Sequence, residues 1–107
     1  MDKNKIISSM TVEEKISYSS GKDFWHTKEL EHLGVKSIMF ADGPNGLRCQ
    51  KREADMLGVN VSLPATCFPS SVTTSATWDR DLIEEEGKAI GREAKKEEVS
   101  IVLGPGC

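Results

Sequence analysis

Hydrophobic positions along the 107-residue chain fall into short groups separated by capping and turn residues. Residues 10–14 form the first helix start. Thr11 is a good helix cap, and Glu14 lies three residues further along, which is the spacing of a capping box. A short apolar face follows, and the pattern ends at Gly21, a residue that commonly terminates helices. The sequence therefore predicts a short helix between residues 11 and 21.

A second short helix is predicted over residues 28–33. Thr27 is the expected cap, and Gly34 terminates the pattern. Between the two helices, the stretch KDFWHT reads as a loop that carries aromatic side chains. Next comes a short apolar run, residues 37–41, bounded by glycine and by Asp-Gly-Pro, which is the pattern of a buried strand.

The second half of the chain repeats this alternation on a larger scale. Many small residues favour a helix over 70–77, and Asp79 is the expected cap of a longer helix over 80–97. Acidic residues early and basic residues late in that helix suit its dipole. Gly87 and Gly91, four residues apart, favour close packing against a neighbouring element. One broad apolar face is expected, made of Leu82, Ile83, Ala89, Ile90 and Ala94.

A second buried strand is predicted at residues 99–103, so the order is helix, helix, strand, helix, helix, strand. A strand, a crossover helix and another strand form a βαβ unit, which implies an α/β fold with a parallel sheet. Two parallel strands do not bury both faces of a sheet. We therefore expect the chain to be the beginning of a larger domain.

Composition excludes several classes of protein. Fourteen basic and 17 acidic residues give a formal charge of −3, so no basic surface for nucleic acid or membrane is expected. No apolar run is long enough for a membrane span or a signal peptide, which makes a cytoplasmic location the expectation. The three cysteines are widely spaced without a CxxC pair, which indicates free thiols and no zinc site.

Asp42 and Arg48 are the strongest candidates for ligand-binding residues in this sequence. Asp42 follows a predicted strand, and ligands of parallel α/β folds collect at the carboxyl ends of strands. Its two oxygens can accept hydrogen bonds from neighbouring hydroxyls, and Arg48 can donate from the same rim. Gly43 and Gly46 leave space for a ligand against the backbone. The arrangement suits a hydroxyl-rich ligand such as a sugar, but Asp-Gly-Pro is also a common turn, and spacing alone leaves both interpretations open.

Other candidate residues have simpler interpretations. His26 and His32 lack a partner at metal-ligand spacing, so no metal is expected. Trp25 and Trp78 are more typical of core positions than of a sugar platform. The acidic run Glu84–Glu86 is typical of a solvated helix face. The glycines of LGPG are too few for a phosphate-binding loop, because no Gly-Lys-Ser/Thr follows them.

Four stretches, in this order, resemble the N-terminal segment of glycoside hydrolase family 3 in its β-glucosidase branch: MTVEEKISYSSGKDFWHT, LGVKSIMFADGPNGLR, ATCFPSSVTTSATWDRDLIEEEGKAIGREAK and VSIVLGPGC. The resemblance implies an incomplete N-terminal (β/α)₈ barrel of the TIM type over residues 1–107. Residues 49–63 are polar and without a pattern, which predicts a surface loop; the resemblance does not extend over them, since these enzymes vary there. The resemblance further implies a retaining exo-acting enzyme that removes terminal β-D-glucosyl residues from β-glucosides or oligosaccharides without a cofactor.

By the same resemblance, Asp42 matches the acid that binds hydroxyls of the non-reducing glucose in the −1 subsite, and Arg48 matches an arginine of that subsite. The nucleophile and the acid/base are expected beyond residue 107, with the rest of the barrel, so no catalytic residue is assigned here. Two other classes stay open for the chain itself. One is a small sugar-binding module, and the other is a fragment that self-associates through its sheet edges.

Overall fold

The computed structural model describes residues 2–50 and 61–104. The chain divides into two compact units, Met1–Met39 and Phe40–Cys107. Within the described ranges, no helix is both long and apolar enough to cross a lipid bilayer. The elements, in chain order, are α1 Lys3–Ser9, α2 Val12–Ser20, a 3₁₀ helix Glu31–Leu33, β1 Phe40–Asp42, α3 Ser71–Ser75, α4 Arg80–Lys96 and β2 Ile101–Leu103.

The first unit begins with two capped helices. The Asp2 side chain accepts from the backbone of Asn4 and starts α1, a helix that the sequence analysis did not predict. The predicted capping box of α2 is confirmed. The Glu14 backbone N–H donates to Thr11 Oγ1 at 3.2 Å, and the Thr11 N–H donates to Glu14 Oε2 at 2.9 Å. These bonds satisfy two donors that a helix start otherwise leaves unpaired.

The prediction of a helix over residues 28–33 with Thr27 as its cap is wrong in both the length and the capping residue. Only Glu31–Leu33 is helical, as a single 3₁₀ turn that ends at Gly34 in a left-handed conformation. Thr27 pairs instead with the approach to β1: its N–H donates to the Ile38 carbonyl at 3.1 Å, and its hydroxyl accepts from the Ile38 N–H at 3.0 Å. A side chain that bonds across to another segment is not free to cap a helix.

The second unit contains the predicted βαβ arrangement. Strands β1 and β2 pair in parallel, with Asp42 opposite Leu103 at their carboxyl ends. Between them, α4 begins at Asp79, whose carboxylate accepts from the Leu82 N–H at 3.0 Å, as predicted. Among the described non-glycine residues of this unit, the buried ones are Ala41, Leu47, Cys49, Gln50, Ala94 and Val99.

Two packing expectations are wrong. Strand β2 is not buried: Ile101 is 39% exposed and Leu103 is 45% exposed. The described part of the sheet has two strands, and that is too few to cover both faces of a parallel sheet. Gly87 and Gly91 do not provide a close contact either, because a Cβ at each of them would meet no neighbouring heavy atom within 4 Å.

The loop predicted over residues 49–63 lies for the most part outside the described residues, since 51–60 are not among them. At its start, however, Cys49 is 1% exposed and Gln50 is 5% exposed, so these two residues belong to the interior. At its end, the Leu63 N–H donates to the Cys49 carbonyl at 2.9 Å. The chain therefore returns at residue 63 to the place that it left at residue 49.

Candidate functional site

The site is the turn that joins Asp42 to Arg48. Asp42 is the last residue of β1, at the carboxyl end of the strand. The Arg48 N–H donates to the Asp42 carbonyl at 2.8 Å, so the two residues form an antiparallel bridge. Their side chains are close as well, with Arg48 Nη1 4.0 Å from Asp42 Oδ2. The structure thus brings both predicted residues to one rim.

Two glycines make this turn possible. Gly43 has φ +144°, and a Cβ there would collide with the carbonyl of Gly46. Gly46 has φ +128°, and a Cβ there would collide with the carbonyl oxygen of Thr66. Both positions therefore require glycine for conformation and for space. The sequence predicts space for a ligand at these two glycines, whereas in the structure backbone atoms occupy that space.

The turn encloses a shallow depression of about 350 Å³, lined by residues 42–46 and Arg48. The side chain of Asp42 is 43% exposed and that of Arg48 is 45% exposed, so each presents polar atoms to this space while it contacts the other. A carboxylate supplies acceptors and a guanidinium supplies donors in a fixed fork. Together they can hold neighbouring hydroxyl groups of one ligand from two sides.

A larger groove of about 410 Å³ shares residues 43–45 of the turn with this depression, but most of its lining is apolar. Ile83 and Ile90 of α4 and Val102 of β2 line it, and Glu86 is its charged residue. Apolar walls of this kind suit hydrocarbon better than a sugar's hydroxyl groups. The smaller depression at Asp42 and Arg48 is therefore the better candidate for a polar ligand.

Of the two tryptophans expected at core positions, Trp25 is buried, with its Nε1 unpartnered within the described residues. The same expectation is wrong for Trp78, which is 91% exposed. His26 Nδ1 lies 2.9 Å from Asp23 Oδ1, and His32 Nε2 lies 3.2 Å from Glu14 Oε1.

Each histidine thus pairs with one acid, and over residues 2–50 and 61–104 no three such groups come together as metal ligands. Of the cysteines, Cys49 is buried and Cys67 is exposed. Cys107 lies outside the described residues.

The acidic run of α4 divides into two parts. Glu84 and Glu85 are exposed, and each pairs with Lys88 at 2.8 Å, as expected for a solvated helix face. The hydrogen bonds that the Lys88 ammonium donates to these two carboxylates raise the pKa of Lys88. Glu86 is half-buried beside the apolar groove, and Thr74 Oγ1 donates to it at 3.5 Å.

A residue that the sequence analysis missed lies behind the site. Glu93 of α4 accepts hydrogen bonds from the backbone and the hydroxyl of Thr66, 27 residues away in sequence. No local signal marks it, because Glu93 is one of several acids on a charged helix and its partner lies in a segment without regular structure.

The sequence is similar to those of several known glycosidases. No protein-family model matches the sequence. The chain is 54% identical over 107 residues to thermostable beta-glucosidase B of Acetivibrio thermocellus, and 42% identical over 103 residues to an exo-alpha-(1->6)-L-arabinopyranosidase of Bifidobacterium longum. It covers 100% and 94% of its own length in these matches, but only 14% and 13% of the relatives, so it spans about one seventh of their length.

Solved structures give the same result. A beta-glucosidase from Kluyveromyces marxianus in complex with glucose matches 98% of the chain at 37% identity with a TM-score of 0.85, over 12% of that protein. A GH3 beta-glucosidase from Bifidobacterium adolescentis matches 94% of the chain at 39% identity with a TM-score of 0.75, over 13% of that protein.

These relatives define the class first: the sequence of the chain and the fold of its described residues are similar to those of glycoside hydrolases. Within that class, the chain is similar over nearly its whole length to β-glucosidases of the GH3 type.

Proposed function

We propose that the chain is the N-terminal part of a retaining β-glucosidase and forms one wall of its −1 sugar subsite. The observation that carries the proposal is the position of Asp42 and Arg48, half-exposed and 4.0 Å apart at the end of β1. The similarity to a structure that contains glucose supports a glycoside as the ligand. In this proposal, the Asp42 carboxylate accepts hydrogen bonds from sugar hydroxyls, and the Arg48 guanidinium donates to them.

The domain that this wall belongs to is proposed to be a (β/α)₈ barrel, of which residues 1–107 are an incomplete N-terminal part. Two parallel strands joined through a crossover helix support this, since the barrel repeats that unit. The exposed side chains of β2 then lie where further strands and helices of the same protein pack. The surface loop expected over residues 49–63 belongs to this proposal, with Cys49 and Gln50 as its buried start.

The role of this wall in the reaction is binding rather than bond cleavage. Retaining hydrolysis requires a nucleophilic carboxylate and an acid/base about 5 Å apart. We assign neither role to a residue of this chain, and propose that both groups come from the remainder of the protein. Contacts from Asp42 and Arg48 to the hydroxyls hold the sugar ring in place. These contacts increase the rate of the reaction only if they become stronger when the sugar ring changes shape in the transition state.

The test uses a complete enzyme that carries this sequence. One such protein is the A. thermocellus relative in which these 107 residues replace the aligned segment. Asp42→Ala is expected to lower kcat/KM for a β-glucoside by at least roughly a hundredfold. In this variant a hydroxyl group of the bound sugar loses the carboxylate that accepts its hydrogen bond. Arg48→Lys should lower kcat/KM by a smaller factor, since lysine keeps the charge but loses the fork.

The matched control is Asp81→Ala, an exposed acid on α4, which should leave kcat/KM within about twofold. If Asp42→Ala also stays within that range, Asp42 is not in the subsite and the proposal is wrong. The same assays with an α-L-arabinopyranoside, the substrate class that the name of the B. longum relative indicates, test the preference for glucose.

A further inference from the structure

The turn that carries Asp42 and Arg48 rests on a second segment, residues 61–70, which we name the supporting segment. It makes three backbone contacts, two with the turn and one with Cys49, the residue that follows the turn. The Leu63 N–H donates to the Cys49 carbonyl at 2.9 Å, and the Phe68 N–H donates to the Asn45 carbonyl at 2.9 Å. Between these two bonds, the carbonyl of Thr66 lies where a Cβ on Gly46 would be. The supporting segment therefore lies directly behind the site.

The supporting segment is not a helix or a strand, so its own backbone does not fix its position. It is fixed to α4 through Glu93. One carboxylate oxygen, Oε2, accepts from the Thr66 N–H at 3.2 Å, and the other, Oε1, accepts from the Thr66 hydroxyl. Hydrogen bonds to a carboxylate are stronger and more directional than those between neutral groups. Two of them to one residue fix both its position and its orientation.

The orientation of Thr66 matters because its N–H donates to Glu93 while its carbonyl oxygen lies against Gly46 in the turn. With the N–H and the hydroxyl held by Glu93, the carbonyl is directed at Gly46, two residues before Arg48. Gly46 accepts this close approach only because it has no Cβ. A rotation of Thr66 would press its carbonyl into the turn or leave the turn unsupported.

We propose that Glu93 is a positioning residue of the sugar subsite: through Thr66 and Gly46 it holds the turn so that Asp42 and Arg48 present their polar atoms to the same ligand. The inference rests on the proposed function of Asp42 and Arg48. It adds a residue more than 40 positions further along the chain than the site it serves. The alternative is that Glu93 merely ties the supporting segment to α4 and contributes only to stability.

The experiment uses the complete enzyme defined above and removes the contact from each end. Glu93→Ala removes the carboxylate, and Thr66→Val removes the hydroxyl while keeping the shape of the side chain. Both should lower kcat/KM for a β-glucoside by about tenfold, the loss expected for one or two bonds to a charged group. Thr66→Ser keeps the hydroxyl and should restore kcat/KM to within about twofold of the parent.

A double-mutant cycle separates positioning from stability. If Glu93 acts through the turn, adding Glu93→Ala to the Asp42→Ala variant should lower kcat/KM by less than about twofold further. The carboxylate that Glu93 positions is already absent from that variant. Glu84→Gln is the control, because Glu84 is an exposed acid of the same helix whose partner Lys88 keeps its bond to Glu85. It should leave kcat/KM unchanged.

Two results overturn the inference. One is a lower melting temperature for Glu93→Ala and Thr66→Val with kcat/KM unchanged in the folded enzyme, which assigns the contact to stability alone. The other is full additivity with Asp42→Ala. If Asp42→Ala itself has no effect, the proposed function fails first, and this outcome is distinct from one in which Asp42 matters and Glu93 does not.

Discussion

Gly104, which follows β2, packs directly against Pro44, which lies in the turn after β1. A Cβ on Gly104 would lie 2.8 Å from the Cα of Pro44 and 2.9 Å from its Cβ, closer than real Cβ atoms approach other atoms. The carboxyl ends of the two strands therefore meet in one contact, and the turn of the candidate site is held from the side of β2 as well as by the supporting segment.

We predict that Gly104→Ala impairs the site. The added methyl group must displace Pro44, which is rigid and lies two residues after Asp42. In the complete enzyme, kcat/KM for a β-glucoside should fall by about tenfold or more, as expected for a displaced binding group. The matched control is Gly87→Ala on α4, where the new methyl group meets nothing within 4 Å. Equal activity in the two variants would contradict this prediction.

We predict that Asp79→Ala loosens the start of α4. The Asp79 carboxylate accepts from the Leu82 N–H at 3.0 Å, and loss of such a cap costs about 1 kcal/mol. Amide hydrogen exchange of the first turn of α4 should become roughly fivefold faster in the complete enzyme. Asp81→Ala removes an acid from the same turn without removing the cap, and it should change the exchange less. A cap without energetic value would leave the two variants equal.

We predict that the Asp23 carboxylate stabilises the loop over residues 22–27 only when it is ionised. Partial desolvation raises the pKa of Asp23, but hydrogen bonds from the Trp25 and His26 backbones and from the His26 ring outweigh this and lower the pKa below its ordinary value. Because the pKa of Asp23 is lower in the folded state, the ionised carboxylate stabilises the folded loop. This stabilisation is complete above the ordinary aspartate pKa of about 4, and it is lost as the pH falls through the folded-state pKa.

Asp23→Asn keeps the shape and removes the charge, so the variant mimics the protonated acid. Amide exchange of residues 22–27 in Asp23→Asn should be faster than in the parent at pH 6, and the ratio of the two rates should approach one as the pH falls through the folded-state pKa of Asp23. The effect should be small, because the Asp23 side chain is 53% exposed. A ratio that does not change with pH would show that the charge contributes nothing.

The isolated 107-residue chain is predicted not to hydrolyse a chromogenic β-glucoside, since the two carboxylates of retaining hydrolysis are assigned to the remainder of the protein. Instead, exposed Ile101 and Leu103 on β2 should favour self-association, which size-exclusion chromatography would detect. Turnover above buffer that Asp42→Ala abolishes would show that the assignment is wrong. A monomer that binds glucose in an NMR titration would favour the sugar-binding module.

Much of the fold could be predicted because its signals are local. The Thr11–Glu14 capping box and the Asp79 cap each join residues three positions apart, so their chemistry is visible in the sequence. The alternation of helices and strands also predicted a parallel pair of strands, and β1 and β2 form that pair. Each strand is shorter than expected, at three residues. Prediction failed at Thr27, which has the chemistry of a cap but bonds to Ile38.

For the candidate site, the sequence by itself determined the components: a carboxylate at a strand end, two glycines that permit the bend, and an arginine six residues after the acid. Only the tertiary structure decided what holds them in place. Thr66 lies 20 residues after Gly46, and Glu93 lies 27 residues after Thr66, so neither contact leaves a periodic or local trace. Hydrogen bonds and steric contacts act at a few ångströms in space, and residues far apart in sequence come within that distance only when the chain folds.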